Sequence, residues 1–118
     1  LPEARHHACQ RLAHSIAAAP HLIGGDRRLC SDINFALGSS VTVKVGAEGV
    51  YAGAFHELGL GLMLKVRDGA KRAAEQALLH VINSLGINLP AKIASSFCNS
   101  LKNWSGEEIG DIVIRNHE

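Results

Sequence analysis

Apolar residues recur at helical spacing in two long segments of this chain. In residues 2–19 the spacing is i, i+3, i+4, i+7 and i+8, at Cys9, Leu12, Ala13, Ile16 and Ala17. A second stripe lies between Asp68 and Gly86 and comprises Ala70, Ala73, Ala74, Ala77, Leu78, Val81, Ile82 and Leu85. The two patterns predict a helix over 2–19, which Pro20 ends, and a longer helix over 69–85. Asp68 is the expected N-cap of the longer helix, and Lys71 and Glu75 are an expected i, i+4 ion pair.

Between these helices the hydrophobic period changes to two. Val41, Val43 and Val45 face one side of a predicted strand, and Thr42 and Lys44 face the other. Further strands are predicted over 50–55 and 60–66. Since the intervening turns are short, the three strands are expected to form an antiparallel meander.

Weaker patterns complete the prediction. They indicate a loop at 21–25 and a short helix at 26–37. A second short helix is indicated at 90–101, a turn at 103–106 and a final strand at 109–115. Asp26 is a candidate cap for the first short helix, which Gly38 closes. The predicted fold class is α+β, with helices packed on a small, mainly antiparallel sheet.

Length and charge limit the kinds of function to consider. The chain has 118 residues, 47% apolar and 19% charged, which suits one globular domain over 1–118. Its first residue is Leu1, and the helical pattern starts almost at once, so we expect the chain to be a piece of a longer protein. The formal charge of +1 gives no basis for a nucleic-acid or membrane partner.

Cysteines and histidines do not form a recognisable metal motif. The three cysteines, Cys9, Cys30 and Cys98, are far apart, and no C-x-x-C is present. Such cysteine usage, with no secretory leader, favours a reducing compartment, and the cytoplasm is the expected location. None of the seven histidines has the spacing of a four-ligand zinc site; His7 and His14 fall on one face of the first helix. We therefore expect no metal site in this chain.

No complete catalytic set is visible in the sequence. None of the serines has a lysine three residues later, and neither a G-x-S-x-G elbow nor a Walker loop occurs. Lys44 stands in a strand of the form K-x-G, which recurs beside the serine of penicillin-recognising hydrolases. Two interpretations of Lys44 stay open at this point: a solvent-facing lysine on the polar side of the strand, or an amine at the lip of a catalytic cleft. In the second, Gly46 would let a substrate approach the backbone.

Longer segments resemble a known family. Residues 44–50 read KVGAEGV and residues 58–73 read LGLGLMLKVRDGAKRA, with PHLIGGDRR upstream at 20–28 and NWSG and IGDIVI downstream, from Asn103 and Ile109. In this order the K-x-G-A-E-G-V and D-G-x-x-R-A elements resemble the C-terminal part of the rhizobial-type L-asparaginases, known as asparaginase II. The resemblance covers most of the chain.

The resemblance implies a partial fold like that of serine β-lactamases and penicillin-binding proteins. It also implies hydrolysis of L-asparagine to aspartate and ammonia through an acyl-enzyme, with L-asparagine as the small-molecule amide partner. Of the family's two serine–lysine pairs, Lys44 resembles the lysine of the second, and Gly46 and Glu48 are expected at the substrate. Glu48 either orients polar groups there or caps the turn. Val45 departs from K-T-G, in which a hydroxyl residue follows the lysine.

The family's nucleophilic Ser-x-x-Lys and its zinc site lie upstream of the matching residues, so no cofactor is expected here. We expect this chain alone to be inactive, and whether it is an enzyme stays open. One hypothesis is a C-terminal portion of an amidohydrolase, with Lys44 on the cleft wall. The alternative is a non-catalytic binding or structural module that keeps the scaffold. Unpaired strand edges and an open apolar surface, with self-association or a complementing chain, would favour the first hypothesis.

Overall fold

A computed structural model describes residues 2–97 and 100–115 of the chain. The helices are α1 (Glu3–Ala18), α2 (His21–Gly24), α3 (Leu29–Leu37), α4 (Lys71–Ser84) and α5 (Ala91–Ser96). The strands are β1 (Val41–Gly46), β2 (Val50–Phe55), β3 (Leu60–Lys65), β4 (Ser100–Lys102) and β5 (Glu108–Asp111), and a 3₁₀ turn joins α3 to β1. The predicted α+β class is confirmed. In the described part of the chain, no helix is long and apolar enough to cross a membrane.

Strands β1, β2 and β3 form one antiparallel sheet in chain order, as the period-two pattern predicts. The register places Lys44 opposite Ala52, and Ala52 opposite Met63. Side chains directly opposite each other share a face, so these three residues lie side by side on one surface of the sheet. Strands β4 and β5 pair with each other in a separate two-stranded sheet.

The two faces of the three-stranded sheet differ in burial. The inner face carries the valines of β1 together with Tyr51 and Phe55, and it packs against α3, α4 and α5. The buried core comprises Leu29, Cys30, Ile33, Val41, Val43, Tyr51, Phe55, Ala74, Leu78, Ile82 and Ile93. We call the other surface the open face, and it comprises Thr42, Lys44, Gly46, Val50, Ala52, Ala54, Gly61, Met63 and Lys65. Every residue of the open face keeps some solvent exposure, so no described layer covers it.

The buried side chain of Asn34 ties α3 to the outer edge of β1. Its Nδ2 donates to the Val43 carbonyl at 2.7 Å, and its Oδ1 accepts the Val43 N–H at 2.8 Å. Both residues are fully buried. In an antiparallel ladder the backbone groups of alternate residues point to opposite sides of the strand. The Asn34 amide therefore takes the place of a neighbouring strand at Val43.

Several predicted boundaries are wrong for identifiable reasons. Residues 21–24 form the short helix α2 rather than a loop, because Pro20 is already in the helical conformation. Helix α3 begins at Leu29 rather than at Asp26, since Arg27 has a left-handed φ of 56° that interrupts a helix. Asp68 is not the N-cap of α4: the cap is Ala70, whose N–H donates to Asp68 Oδ1 at 2.8 Å.

The C-terminal elements are shorter than predicted. Helix α5 ends at Ser96, and Leu101, expected in that helix, pairs with Gly110 in the second sheet. The last strand ends at Asp111, so Ile112 lies beyond it. Cys98 lies outside the described residues. These segments are short and weakly patterned, and pairing between them decided their structure where local periodicity predicted a longer helix.

Helix α1 forms where the pattern predicts it, but its apolar stripe is only partly covered. No residue of α1 is buried, and Leu12 is 65% exposed. Cys9 is also exposed, whereas Ala13, Ile16 and Ala17 are half-buried. The part of the stripe formed by Cys9 and Leu12 is therefore uncovered within the described residues.

Candidate active site

Lys44 lies in the middle of β1, and its side chain is on the open face. It is exposed, and its Nζ donates to the carbonyl oxygen of Val45 at 2.5 Å. Since Val43 points its backbone groups away from β2, Val45 does the same, and its carbonyl lies on the outer edge of the strand. The Lys44 amine thus bends round this edge, and Val45 itself packs against the core.

The turn after Lys44 has a backbone that only a few residue types adopt easily. Glu48 has a φ of 59° and Gly49 a φ of 67°. The turn is fixed to the end of β3, because the Val66 N–H donates to the Gly49 carbonyl at 3.1 Å. Lys65 Nζ also donates to the Glu48 carbonyl at 2.8 Å. The Glu48 carboxylate stays exposed beyond the end of β1, so its backbone rather than its side chain holds the turn.

Because Gly46 has no side chain, the open face carries only backbone at this position. A Cβ atom at this position would lie 3.1 Å from the Val50 side chain opposite it. Strand alternation places Gly46 and Lys44 on the same surface, roughly 7 Å apart along the strand. The sheet therefore offers an amine next to bare backbone, and an exposed carboxylate two residues further on.

A hydroxyl and an imidazole lie close together on the same surface, and the sequence analysis did not identify them. Thr42 Oγ1 lies 2.9 Å from His56 Nε2, and Ser40 Oγ donates to Glu57 Oε1 at 2.8 Å. Thr42 is two residues before Lys44, so it occupies the next position on the open face. The strand register accounts for this pair, because Ala54 lies opposite Thr42 and His56 comes two residues after Ala54, on the same side of the sheet.

A cavity lies on the other side of the sheet. This α3–α5 groove has a volume of about 880 Å³, and its walls come from α3, α4 and α5. The charged side chains along it are Arg27, Asp32, Lys71, Glu75 and Lys92, beside the rings of Phe35 and Phe97. A smaller cavity of about 340 Å³ adjoins it next to α2. Neither of these two cavities is lined by Lys44, Gly46 or Glu48, and the Lys44 side chain is exposed on the open face.

Glu75 is the buried carboxylate of the α3–α5 groove. It is 8% exposed, and its Oε1 lies 3.2 Å from Lys71 Nζ, which confirms the predicted i, i+4 pair. No described group makes a well-directed hydrogen bond to Oε1. Burial raises the pKa of the nearby Tyr51 phenol well above its ordinary value, and the charge of Glu75 raises it further.

The raised pKa of Tyr51 predicts a loss of stability at high pH. The unfolded phenol loses its proton near pH 10 whereas the folded one keeps it, so the stability present below pH 10 is lost as pH rises toward the folded pKa. Between pH 9 and pH 11 the wild-type free energy of unfolding should fall by about 1 kcal/mol more than that of Tyr51→Phe. Urea unfolding of both proteins at the two pH values measures this difference, and equal slopes would contradict the assignment.

The resemblance implies a zinc site in the longer proteins of the family, and the described residues do not form one. They contain no group of three or more His, Cys, Asp or Glu side chains that could hold a metal ion. Cys30 is fully buried, and its sulfur fills the space beside Gly24. Cys9 is exposed on α1, away from that core position.

Comparison with known proteins gives one family. The family model described as L-asparaginase II matches residues 1–114. A search of curated proteins finds no match. The matched range includes all the described strands and helices, together with Lys44 and the turn that follows it. The chain belongs to the L-asparaginase II family.

Proposed function

We propose that this chain is the C-terminal portion of an amidohydrolase that converts L-asparagine to L-aspartate and ammonia through a serine acyl-enzyme. The observation that carries the proposal is the position of Lys44: its side chain leaves an uncovered sheet surface two residues before Gly46, and its amine is held at the adjacent strand edge by the Val45 carbonyl. Membership of the L-asparaginase II family supports an amide such as asparagine as the substrate. The lysine on an edge strand followed by glycine also supports a partial serine β-lactamase-like arrangement.

The proposed chemistry needs a serine from another part of the enzyme. Its oxygen attacks the side-chain amide carbon of asparagine, and the amide nitrogen leaves as ammonia after it gains a proton. Water then releases aspartate from the acyl-serine. Lys44 holds or relays the serine proton in both steps, as a positioned side chain that transfers protons in the transition state.

The residues after Lys44 have proposed roles in substrate binding. With no side chain, Gly46 lets the substrate lie against the strand. The Glu48 carboxylate has no ion-pair partner among the described residues, so its charge is available to the α-ammonium group of asparagine. Its backbone stays fixed by Lys65 while its side chain binds.

Covering the open face should create activity that the chain alone does not have. The test is ammonia release from L-asparagine by this chain, and by the same chain joined to the nucleophile-bearing upstream portion of an L-asparaginase II family member. We expect no release above background from the first protein and catalytic turnover from the second. Lys44-dependent turnover by the chain alone would mean that the nucleophile lies within it. A joined protein that folds but is inactive would favour the alternative, a non-catalytic module that keeps the family scaffold.

The α3–α5 groove favours a second candidate, a non-catalytic binding module. Its volume of about 880 Å³ is in the range of small-molecule sites, and its walls combine both charges with aromatic rings. In this case Lys92→Ala, in the groove, should weaken ligand binding, and Lys44→Ala should not. Titration of both variants with L-asparagine, followed by amide chemical shifts, separates the groove from the open face.

For either function we propose a cytoplasmic location, in keeping with the unpaired Cys9 and Cys30.

A further inference from the structure

Lys65 brings a second amine of the open face to the turn between β1 and β2. The strand register puts Lys65 opposite Val50 and Val50 opposite Gly46, so Lys65 and Gly46 stand in one row across the sheet. Lys65 Nζ donates to the Glu48 carbonyl at 2.8 Å and to the Val66 carbonyl at 2.6 Å. Its side chain therefore extends toward the turn, and its amine lies beside the backbone of Glu48.

The Lys65 ammonium group keeps hydrogen-bonding capacity for a ligand. An ammonium group has three N–H donors, and among the described residues two carbonyl oxygens accept from this one. Neither acceptor carries a formal charge, and no carboxylate of the described part of the chain forms an ion pair with Lys65. The residue is also exposed. One N–H and the positive charge thus remain for an anionic group of a ligand.

The Glu48 carboxylate provides the opposite charge at a suitable distance. Because Lys65 holds the carbonyl of the same residue, and three C–C bonds join the Glu48 carboxyl carbon to Cα, the two charges lie within roughly 8 Å of each other. In an α-amino acid the ammonium nitrogen and the carboxyl carbon are two bonds, or about 2.5 Å, apart. With a hydrogen bond of about 2.8 Å at each end, these two groups can bridge Lys65 and Glu48.

We propose that Lys65 determines specificity by binding the α-carboxylate of the substrate while Glu48 binds its α-ammonium group. The inference rests on the proposed function and deepens it, since it names the residue that selects free α-amino acids among amides. An asparagine within a peptide has neither charge at its α-carbon, so this pair of side chains does not hold it. With the α-groups held at the turn, the side-chain amide of a free asparagine extends over Gly46 toward Lys44 on the same surface.

Analogues that lack one of the two charges test these roles on the chain itself. Succinamate is asparagine without the ammonium group, and β-alaninamide is asparagine without the α-carboxylate. Lys65→Met should weaken binding of L-asparagine and succinamate roughly tenfold or more, and it should leave binding of β-alaninamide unchanged. Glu48→Gln should weaken L-asparagine and β-alaninamide and leave succinamate unchanged. Lys65→Arg keeps the charge and should keep the binding of all three ligands.

Chemical-shift titration, followed at the amides of residues 47–49 and 65, measures these dissociation constants. Lys102→Met is the matched control, because Lys102 is an exposed lysine of the separate two-stranded sheet, and it should change none of them. Since Lys65 also holds the turn, a purely structural role would weaken all three ligands alike. Equal losses for the three ligands in Lys65→Met, or no loss for L-asparagine, would overturn the proposal. Turn amides that L-asparagine does not shift at any concentration up to saturation would overturn it as well.

Kinetics of the joined enzyme separate this inference from the proposed function on which it rests. In Lys65→Met, kcat/KM for ammonia release should fall roughly tenfold or more for L-asparagine and succinamate and stay the same for β-alaninamide. An inactive joined enzyme would contradict the proposed hydrolysis, and the titration would still decide the role of Lys65. Normal hydrolysis by the wild type, with equal losses for all three amides in Lys65→Met, would contradict the role of Lys65 alone.

Discussion

Replacement of Asn34 by alanine should lower the free energy of unfolding by about 3 kcal/mol or more. The amide makes two hydrogen bonds to the backbone of Val43, and both residues are fully buried. Alanine leaves the Val43 N–H and C=O without partners, at about 1–3 kcal/mol for each group, and adds a small cavity. Urea unfolding followed by circular dichroism measures the change.

Asn83→Ala is the matched control for this prediction. Asn83 is exposed near the end of α4, so the same substitution there should change stability by less than about 0.5 kcal/mol. A similar small loss for Asn34→Ala would mean that water or another group satisfies Val43, and that the amide does not act as a substitute strand. Hydrogen exchange at the Val43 amide should accelerate in Asn34→Ala and stay slow in Asn83→Ala.

Gly49→Ala should be the second most damaging small substitution, with a loss of about 3 kcal/mol. Two costs add at this position. The φ of 67° is a left-handed conformation that costs an L-residue about 1–2 kcal/mol. A Cβ atom would also lie 2.2 Å from Val66 Cγ2 and 3.0 Å from the Gly69 carbonyl carbon, so the turn would have to move away from the end of β3.

Two other glycines separate these costs. Gly59 has a φ of 63° and open space around its Cβ position, so Gly59→Ala should show the conformational cost alone, about 1 kcal/mol. Gly61 has neither feature, and Gly61→Ala should be neutral or slightly stabilising. If Gly49→Ala and Gly59→Ala lose the same amount, the packing of the turn against Val66 and Gly69 contributes nothing to stability.

The three-stranded sheet and the long helix were predictable because each has a strong period. Alternation over 41–45 assigned Lys44 to the polar side of its strand, and the structure places it there. The alanine-rich stripe after Asp68 became α4, with Ala74, Leu78 and Ile82 in the core. Periods of two and 3.6 residues arise where one side of a strand or helix is buried. A chain of this size can bury one side of each of these elements against its own residues.

Other parts were not predictable from local pattern. Asn34 reads as a polar residue in a short helix, and only the approach of β1 makes its amide a backbone partner. The stripe of α1 satisfies the helical pattern equally well whether or not another layer covers it, and exposed Leu12 shows that the described residues cover it only in part. Short segments such as Ser100–Lys102 have too few residues for a period, so their pairing with β5 depends on contacts distant in sequence.

The candidate site shows the same division. The K-x-G-A-E-G-V motif identified Lys44, Gly46 and Glu48 together, and strand geometry places the first two on one surface. The Thr42–His56 pair depends on cross-strand register, which the sequence alone did not assign to side chains. The α3–α5 groove combines residues from three helices, and no spacing along the chain indicated it.

The proposed role of Lys44 is tested most directly by kinetics of the joined enzyme, in which an upstream family portion supplies the nucleophilic serine. Lys44→Ala is compared with Lys92→Ala, which removes an exposed amine in the α3–α5 groove on the other side of the sheet. Loss of a group that transfers protons in the transition state should lower kcat for ammonia release by about 100-fold or more. We predict that loss for Lys44→Ala and unchanged turnover for Lys92→Ala. Full activity of a folded Lys44→Ala enzyme would contradict the assignment of Lys44 to the catalytic machinery.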